Sequence, residues 1–471
     1  MVKLALPLRG VLAPTLLAAF ALPLGLAPLA AEPAAEAPPA GRPAACAGSS
    51  ALHLGTRSFR LANGMTFLLV ERPDPARVAA GWVAGVGSAD DPTGATGASH
   101  LLEHMMFKGT RTLGVADPNE LDVLYGRAGA TDLNAFTRND LTAYFVSLPA
   151  NEIELWFWLE SDRLLAPVFR DLDNERKAIE QERQGDASTP RGRLQSQLNA
   201  LFWRAQPYHA PIFGWPSDLA ATSVADAERH FHASYTAGNL TAVLVGHLDG
   251  ARIEELAHRY FDRLPAAAAP PRTPTAEPEQ LAETRMNAAT DGPAELEIRY
   301  HSVPFEHPDS YALEVLAGLL DGPNGRLAAA LLASEKADQA TAEQISLRRA
   351  GYFSVTARAR GEQTAEGLEQ AWYGVLRRLQ EQTVAPAELE RVRNRLAADT
   401  FRHLREPLFL LVQQLVAAGL GDWHDLDEHT CRVAAVSAED VRRVARAYFE
   451  PRNRTVGLYR PAPATAEPGT P

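Results

Sequence analysis

Two histidines and a glutamate stand close together in residues 97–107, which read GASHLLEHMMF. His100 and His104 are four residues apart, so both imidazoles lie on one face of a helix and can reach one ion. Two neutral imidazoles suit Zn²⁺. The neighbours are leucine, methionine and phenylalanine, and burying three ionisable groups among them without a metal would be costly. We therefore predict a metal site here rather than a pair of histidines satisfied within the core.

Glu103 is the carboxylate of this segment and directly precedes His104. A hydrolytic zinc site has three protein ligands and leaves the fourth position to water. Glu103 is better placed beside that water than on the metal. It would act there as general base on a water whose pKa the metal lowers to about 7. The motif therefore predicts hydrolysis by an activated water, and it requires a third ligand from another segment.

Acidic residues on a later segment are candidates for the third ligand. Residues 174–183 read NERKAIEQER and contain Glu175 and Glu182. These two are seven residues apart, hence two turns along one helix face, and Glu180 lies off that face. A solvated, charged helix explains the same pattern. The spacing by itself therefore leaves the third ligand open.

Two further pairs of histidines have spacings that do not share a helix face. His424 and His429 are five residues apart, and His230 and His232 are two apart. Such spacings direct the imidazoles to different sides of a helix. We expect these four residues at the surface.

The composition describes an acidic globular protein. The 471 residues include 46 Lys+Arg against 58 Asp+Glu, a formal net charge of −12, which argues against nucleic-acid binding. A hydrophobic fraction of 46% is enough for two or more domains. Two cysteines, Cys46 and Cys431, are too few for a disulfide scaffold or a thiolate zinc cluster. They either form one disulfide or remain two thiols.

The N-terminus has the order of a secretory signal. In residues 1–31, Lys3 and Arg9 precede an apolar run that ends in small residues. The alternative is an uncleaved membrane anchor. Three prolines within the apolar run argue against it, because they interrupt a continuous helix. Residues 32–54 form an Ala/Pro-rich leader. The mature protein is therefore expected in the periplasm or outside the cell, with no membrane span after signal removal.

A second Ala/Pro-rich stretch, residues 265–280, divides the rest of the chain. It separates an N-terminal catalytic domain, 55–264, from a C-terminal domain, 281–460, before a polar tail, 461–471. Strand-like and helix-like patterns recur in the same order on both sides of this linker. The predicted fold class is α+β, with two homologous tandem domains, each a mixed or antiparallel sheet packed with helices.

The His-x-x-Glu-His motif and its surroundings resemble the pitrilysin, insulysin and mitochondrial processing peptidase family of zinc metallopeptidases. Residues 133–144 are similar to the family's Asn-Ala segment, so the resemblance implies that Asn134 and Ala135 bind the substrate backbone as an added strand. The stretch from Glu175 to Glu182 is similar to its downstream Glu motif. This implies that Glu182 is the third zinc ligand and that Glu175 supports the site.

The resemblance also implies an assembly. Short members of the family form half of a clam-like chamber, closed by a homologous second subunit or a second copy. Leu313, Leu316 and Ala317 stand where the C-terminal repeat would carry the motif, so that repeat has no metal site. Self-sufficient members have an Arg and a Tyr in this half that hold the substrate carbonyl. Those places fall at Leu332 and Gln339 here, which predicts that a partner subunit supplies the pair.

The sequence thus predicts a zinc endopeptidase that hydrolyses peptides or unfolded segments, with one Zn²⁺ per chain. His100, His104 and Glu182 would hold the metal and Glu103 would act as base. The alternative is a catalytically idle binding or assembly subunit of the same fold. The absence of the Arg/Tyr pair favours this alternative, and the intact His-x-x-Glu-His motif argues against it.

Overall fold

The computed structural model describes residues 54–73, 76–114, 120–272, 275–305 and 307–462. The predicted signal segment, all but the last residue of the leader, Cys46 and the tail from residue 463 lie outside these ranges. Cys431 lies within them and is buried. Within the described ranges, no helix is both long enough and apolar enough to span a membrane.

Eleven strands are present in the described residues. In chain order they are β1 (Arg57–Arg60), β2 (Thr66–Glu71), β3 (Arg77–Ala84), β4 (Thr131–Thr137), β5 (Thr142–Pro149), β6 (Leu240–Gly246), β7 (Thr284–Thr290), β8 (Glu295–Ser302), β9 (Ala337–Ser346), β10 (Gly351–Ala359) and β11 (Arg454–Pro461).

The α-helices of the described residues surround these strands. They are α1 (Ala98–Met105), α2 (Leu121–Arg127), α3 (Ile153–Leu165), α4 (Leu172–Asp186), α5 (Pro190–Phe202), α6 (Pro216–Ala221), α7 (Val224–Ser234), α8 (Gly250–Phe261), α9 (Asp309–Leu320), α10 (Ala365–Glu381), α11 (Pro386–His403), α12 (Pro407–Leu420), α13 (Asp425–Ala435) and α14 (Ala438–Ala447).

The strands form two sheets with the same connectivity. The first has the order β1-β2-β6-β3-β5-β4 and the second the order β7-β11-β8-β10-β9. Each sheet has one parallel pair, β2 with β6 and β7 with β11, and antiparallel pairs elsewhere. Apart from β1, every strand of the first sheet has a counterpart at the same place in the second. The predicted α+β fold with two repeated domains is therefore confirmed.

Strand β3 shows how the first sheet is buried on both faces. Its apolar residues alternate between the faces, as side chains of a strand must. Trp82 packs on the side of α1, in the cluster that contains Leu101. Val83 packs on the opposite side with Leu410 and Leu415 of α12. The two faces of this sheet are therefore covered by helices from different halves of the chain.

The two halves exchange one helix each. Helix α12 comes from the second half and packs on β3 and β6 of the first sheet. It is apolar on nearly all sides, as a helix enclosed by other elements must be. In the reverse direction, α5 of the first half contacts β7 and β11, where Leu198 joins Met286 and Tyr459. Each sheet therefore depends on the other half for part of its cover.

Leu415→Ala should measure the strength of this exchanged contact. Leu415 is fully buried against the first sheet, and its removal leaves a cavity that costs about 2–5 kcal/mol of unfolding free energy. Urea denaturation of the purified protein measures the loss. Leu281→Ala is the matched control, since Leu281 is 76% exposed. Equal stability of the two variants would contradict the packing described for α12.

The turn between β9 and β10 links the second half to the segments around α1. The backbone N–H of Arg348 donates to Asp140, which follows β4, over 3.0 Å. The guanidinium of Arg349 forms an ion pair with Asp90, which precedes α1. Tyr208 donates its hydroxyl to Asp140 over 2.8 Å. The second half thus fixes both the entry to α1 and the end of β4.

Candidate metal centre

Helix α1 presents the His-x-x-Glu-His motif and begins directly after Gly97. The φ of Gly97 is 86°, a left-handed conformation that favours glycine. A Cβ at this position would lie 2.6 Å from the carbonyl oxygen of Phe213. Glycine is therefore required both by the backbone conformation and by the close approach of a neighbouring segment. His100 and His104 follow on one face, with their ring centroids 4.8 Å apart.

Helix α4 brings Glu182 to the two histidines. The distances from Oε2 of Glu182 to Nε2 of His100 and to Nε2 of His104 are both 3.6 Å. Ligands at about 2.1 Å from a tetrahedral zinc lie about 3.4 Å from one another. The three ligand atoms all lie within 4.8 Å of one another, and the described residues contain no second such group. The donor set and its spacing therefore fit zinc.

Glu175 lies two turns before Glu182 on α4 and contacts His104 on the ring nitrogen that faces away from Glu182. Nδ1 of His104 is 3.1 Å from Oε2 of Glu175. Nζ of Lys108 is 2.5 Å from the other carboxylate oxygen. A carboxylate that accepts the Nδ1 proton fixes the tautomer that leaves Nε2 free to bind a metal. Glu175 thus lies where such a support would be needed, and its supporting role stays a prediction.

Glu175→Gln is expected to weaken zinc binding by about 10- to 100-fold, the usual effect of removing such a partner. The amide is a poorer acceptor for His104 and no longer balances the charge of Lys108. Competition with a fluorescent zinc chelator measures the affinity. Asp173→Asn is the control, because Asp173 is exposed at the start of the same helix. The same affinity in both variants would show that Glu175 has no part in orienting the imidazole.

Burial and the two carboxylates have opposite effects on the histidines. Burial lowers the pKa of His100 to about 4, and the nearby His104 contributes to that shift. Burial also disfavours the charged form of His104. The hydrogen bonds and charges of Glu175 and Glu182 outweigh it and raise the pKa of His104 to about 9. Without a metal, His104 therefore carries a proton at neutral pH.

Zinc binding should consequently release about one proton from His104 at neutral pH, because only the neutral imidazole binds the metal. The apparent affinity should rise with pH until the pH reaches the pKa of about 9. Calorimetry in buffers of different ionisation enthalpy counts the protons. His258→Gln, at an exposed histidine, should release the same number as the unchanged protein. An affinity that is constant from mildly acidic to mildly alkaline pH would contradict this expectation.

Glu103 points from α1 towards strand β4 instead of joining the three ligand atoms. The hydroxyl of Thr137, at the end of β4, donates to Oε2 of Glu103 over 2.5 Å. Burial raises the pKa of Glu103 to about 7, although Thr137 and His104 oppose the shift. A carboxyl group with a pKa near neutrality is suited to accept a proton and return it. Sequence reasoning missed Thr137, although it lies within the Asn-Ala segment.

A second unpredicted group holds the start of α1. The carboxylate of Asp91 accepts the backbone N–H groups of Gly97 and Ser99 over 2.7 and 2.8 Å, and the Ser99 hydroxyl over 2.7 Å. Nε2 of His230 lies 2.9 Å from the same hydroxyl. Asp91 thus supplies the capping that Gly97 cannot. Asp91 stands six residues before the N-cap residue Gly97, which is outside the usual capping spacing, so the spacing did not predict this contact.

Strand β4 is an edge of the first sheet and contains the other predicted site residues. In the described residues, β5 is the only strand that pairs with β4. Asn134 of β4 lies opposite Phe145 of β5, and Ala135 lies opposite Tyr144. The side chain of Asn134 accepts the N–H of Ala135 over 2.9 Å. In the described residues the outer edge of β4 has no neighbouring strand, and binding of a substrate there stays a prediction.

In the described part of the second half, no group of three His, Cys, Asp or Glu residues brings its ligand atoms together as the first half does. Leu313 and Leu316 are fully buried in its core, and Ala317 is nearly so. Leu332 ends a π-helical turn, and Gln339 lies on β9 with its side chain exposed. Neither residue offers a cation or a phenol.

Two of the four histidines expected at the surface, His232 and His424, are exposed, but the expectation was wrong for His230 and His429. His230 is 5% exposed beside Ser99, and His429 is 1% exposed. Nε2 of His429 lies 2.9 Å from Oε2 of Glu314 on α9. Spacing shows whether two residues share a helix face, but it does not show whether a face is covered.

The fold and the donor set together define a protein of two repeated α+β domains with one candidate zinc centre, and comparisons with known proteins agree. The family model described as "Insulinase (Peptidase family M16)" matches residues 66–215, and that described as "Peptidase M16 inactive domain" matches residues 223–396. The two matches cover more than half of the chain. The protein therefore belongs to peptidase family M16, as its motifs suggested.

Relatives support the same assignment. The chain is 26% identical over 394 residues to the zinc protease PqqE of Helicobacter pylori, covering 80% of this chain and 86% of the relative. It is 23% identical over 408 residues to the mitochondrial-processing peptidase subunit beta of Lentinula edodes, covering 83% and 86%. The crystal structure of a protease from Helicobacter pylori superimposes with a TM-score of 0.82 at 23% identity, covering 88% of this chain and 100% of that one.

Proposed function

We propose that the protein is a zinc endopeptidase that hydrolyses peptides or unfolded segments. The observation that carries this proposal is the convergence of His100, His104 and Glu182, with Glu103 on the same helix as the two histidines. An idle subunit would have no reason to keep all four. The name of the relative PqqE, a zinc protease, supports the same conclusion.

Zinc, when bound, supplies Lewis-acid chemistry that makes water nucleophilic at neutral pH. Glu103 takes the proton from the attacking water and delivers it to the leaving amine. Thr137 holds the carboxylate of Glu103 by its hydroxyl, so the base does not turn back towards the metal ligands. Glu175 holds His104 in the tautomer whose Nε2 faces Glu182.

The edge strand β4 positions the substrate in this proposal. A peptide that pairs with Asn134 and Ala135 extends the first sheet by one strand, and backbone hydrogen bonds hold it regardless of its side chains. Only an extended chain can pair in this way. We therefore expect unfolded segments and short peptides, and not folded domains, as substrates.

A second subunit completes the site. Leu332 and Gln339 stand at the places of the Arg/Tyr pair. These two positions therefore provide no cation or phenol to stabilise the developing oxyanion, an interaction that is worth several kcal/mol in other enzymes. A homologous subunit in a heterodimer supplies the pair; a second copy of this chain would bring the same leucine and glutamine. A relative named as a subunit, the mitochondrial-processing peptidase subunit beta, supports this arrangement.

The alternative function, an idle binding or assembly subunit, rests on those same two positions. It predicts zinc binding without cleavage under any condition. The two functions are separated by digesting a mixed peptide library with zinc-loaded protein, alone and with a candidate homologous subunit. Cleavage that appears or rises at least tenfold with the partner supports the proposal. Absence of cleavage in every mixture supports the idle subunit, and full activity of the lone chain overturns the need for a partner.

Export completes the proposal and rests on residues 1–31. We propose that the mature protein acts in the periplasm or outside the cell. Cell fractionation and N-terminal sequencing of the mature protein test this location. An intact N-terminus on membrane-associated protein would instead indicate an uncleaved anchor.

A further inference from the structure

A cavity that contains none of the proposed zinc ligands in its lining lies beside the start of α1. It is bordered by α7, by the segment that leads from β3 into α1 and by the linker, and its volume is about 590 Å³. Small-molecule pockets have volumes of this order and combine an apolar lining with a few polar groups. The apolar part of this lining consists mainly of Val86, Pro92, Ala95, Ala98, Pro270 and Pro271.

One imidazole nitrogen in the wall of this cavity has an unused lone pair. His230 is 5% exposed and lines the cavity. Its Nε2 lies 2.9 Å from Oγ of Ser99, and the same Oγ lies 2.7 Å from Oδ1 of Asp91. A serine hydroxyl has a single proton, which the carboxylate accepts, so Nε2 of His230 must donate to Oγ. Nδ1 therefore keeps its lone pair, and the described residues offer it no donor.

Ser234 adds a second polar group to the same wall, one helical turn further along α7. It is also 5% exposed and lines the cavity. Its backbone carbonyl accepts from Asn239 over 2.8 Å, but its hydroxyl has no hydrogen-bond partner among the described residues. Buried polar atoms without partners are uncommon and costly. Two of them on one helix face, in the wall of one cavity, indicate a ligand that both donates and accepts a hydrogen bond.

The charged residues of the lining favour an uncharged ligand. Asp90 forms an ion pair with Arg349, and Asp226 forms one with Arg229. Arg272, at the exposed rim, also has an interaction partner. The charges that the described lining contains are therefore balanced or engaged already.

The imidazole in the wall is uncharged as well. Burial lowers the pKa of His230 to about 4, so the ring is neutral at physiological pH. A neutral imidazole is an acceptor at Nδ1 and attracts no anion. The best match is a neutral ligand whose hydroxyl is a strong donor.

We propose that this cavity binds a neutral ring that carries a hydroxyl group, the chemistry of a phenol. The hydroxyl donates to Nδ1 of His230 and accepts from Oγ of Ser234. The ring packs on the rigid apolar faces of Pro92, Pro270 and Pro271. A phenol is a stronger hydrogen-bond donor than an aliphatic alcohol, which suits an imidazole acceptor. This site is separate from the metal centre and does not depend on the proposed function.

Isothermal titration calorimetry of the full-length protein with 4-ethylphenol tests the proposal. The reference probe is 4-ethylanisole, which has a similar shape but no donor. We expect saturable binding of 4-ethylphenol, at least tenfold tighter than that of 4-ethylanisole. His230→Phe should abolish this preference, and Ser234→Ala should weaken 4-ethylphenol at least threefold. Thermal unfolding checks that each variant is folded, and Ser234→Ala, which removes one hydroxyl without a partner, keeps the test decisive if His230→Phe does not fold.

Matched controls are available for both variants. His232→Phe makes the same change at an exposed position of α7, and Ser188→Ala makes the same change at an exposed serine between α4 and α5. Both should bind 4-ethylphenol as the unchanged protein does. The proposal is overturned when 4-ethylphenol does not saturate the protein or binds no tighter than 4-ethylanisole. It is also overturned when the cavity variants bind as tightly as their controls.

A further titration distinguishes two sources of the phenol, a free small molecule and a tyrosine side chain. N-acetyltyrosinamide carries the same ring on a peptide unit. Weaker binding of this amide than of 4-ethylphenol supports a free small molecule. Equal or tighter binding overturns that source and assigns the ring to tyrosine. These titrations involve neither metal nor cleavage, so a failure of the proposed function is seen separately.

Discussion

Glu103→Gln is expected to lower the rate of peptide hydrolysis by about 10²- to 10⁴-fold, the contribution of a positioned general base. The amide has nearly the same size and still accepts the Thr137 hydroxyl, but it cannot take a proton from water. Zinc content should stay the same, because Glu103 does not belong to the three residues whose ligand atoms converge. The two measurements together separate a lost base from a lost metal.

Two quantities are measured for each variant: the initial rate of cleavage of a fluorogenic peptide and the zinc content of the protein. Both are measured in the mixture with a homologous subunit that gives the highest activity. Glu228→Gln is the control, since Glu228 is exposed on α7. A Glu103→Gln protein that cleaves as fast as this control would overturn the role of the base. A parallel loss of zinc would show instead that Glu103 helps to hold the metal.

Glu182→Gln should lower zinc affinity by more than about 100-fold, beyond the effect of losing a supporting carboxylate such as Glu175. Glu182 is the only anion of the proposed donor set, and it comes from a different helix than the two histidines. Its loss leaves two neutral imidazoles, which together hold zinc poorly. Peptide hydrolysis should fall with the zinc content.

Glu180→Gln is a demanding control because it makes the same substitution on the same helix. The contacts that the described residues show for the Glu180 carboxylate are with Arg183 and Gln184. An exposed pair of this kind contributes little to stability. Retention of zinc by Glu182→Gln, or equal loss of zinc by Glu180→Gln, would contradict the assignment of the third ligand.

The part of the site that the sequence revealed is the part that local geometry determines. His100, Glu103 and His104 lie within five residues of one another, and helix periodicity alone fixes their relative directions. Glu182 required a family resemblance, because a charged helix has no property that marks one glutamate as a ligand. The structure brings its carboxylate to His104 across 78 residues of chain.

Apart from the contacts of Asp91 with Gly97 and Ser99, the contacts that sequence reasoning missed are long-range. Thr137 reaches Glu103 across 34 residues, and His230 reaches Ser99 across 131. Nothing in the spacing of such residues indicates that they meet, because the sheet and the helices that bring them together must form first. The error at His429 has the same origin, since its partner Glu314 lies 115 residues away on a helix of the same half.

Because α5 and α12 are exchanged between the halves, we expect that no fragment limited to the first half can fold and hold the metal. A fragment that ends at the linker contains every proposed ligand, yet it leaves one face of the first sheet bare, with Val83 and Val243 exposed to water. Such a bare apolar surface favours aggregation over folding. A chain cut in the linker, in contrast, keeps both exchanged helices in place. We therefore expect the covalent link between the halves to be dispensable for holding them together, and we expect the half with the candidate metal centre not to fold without the other half.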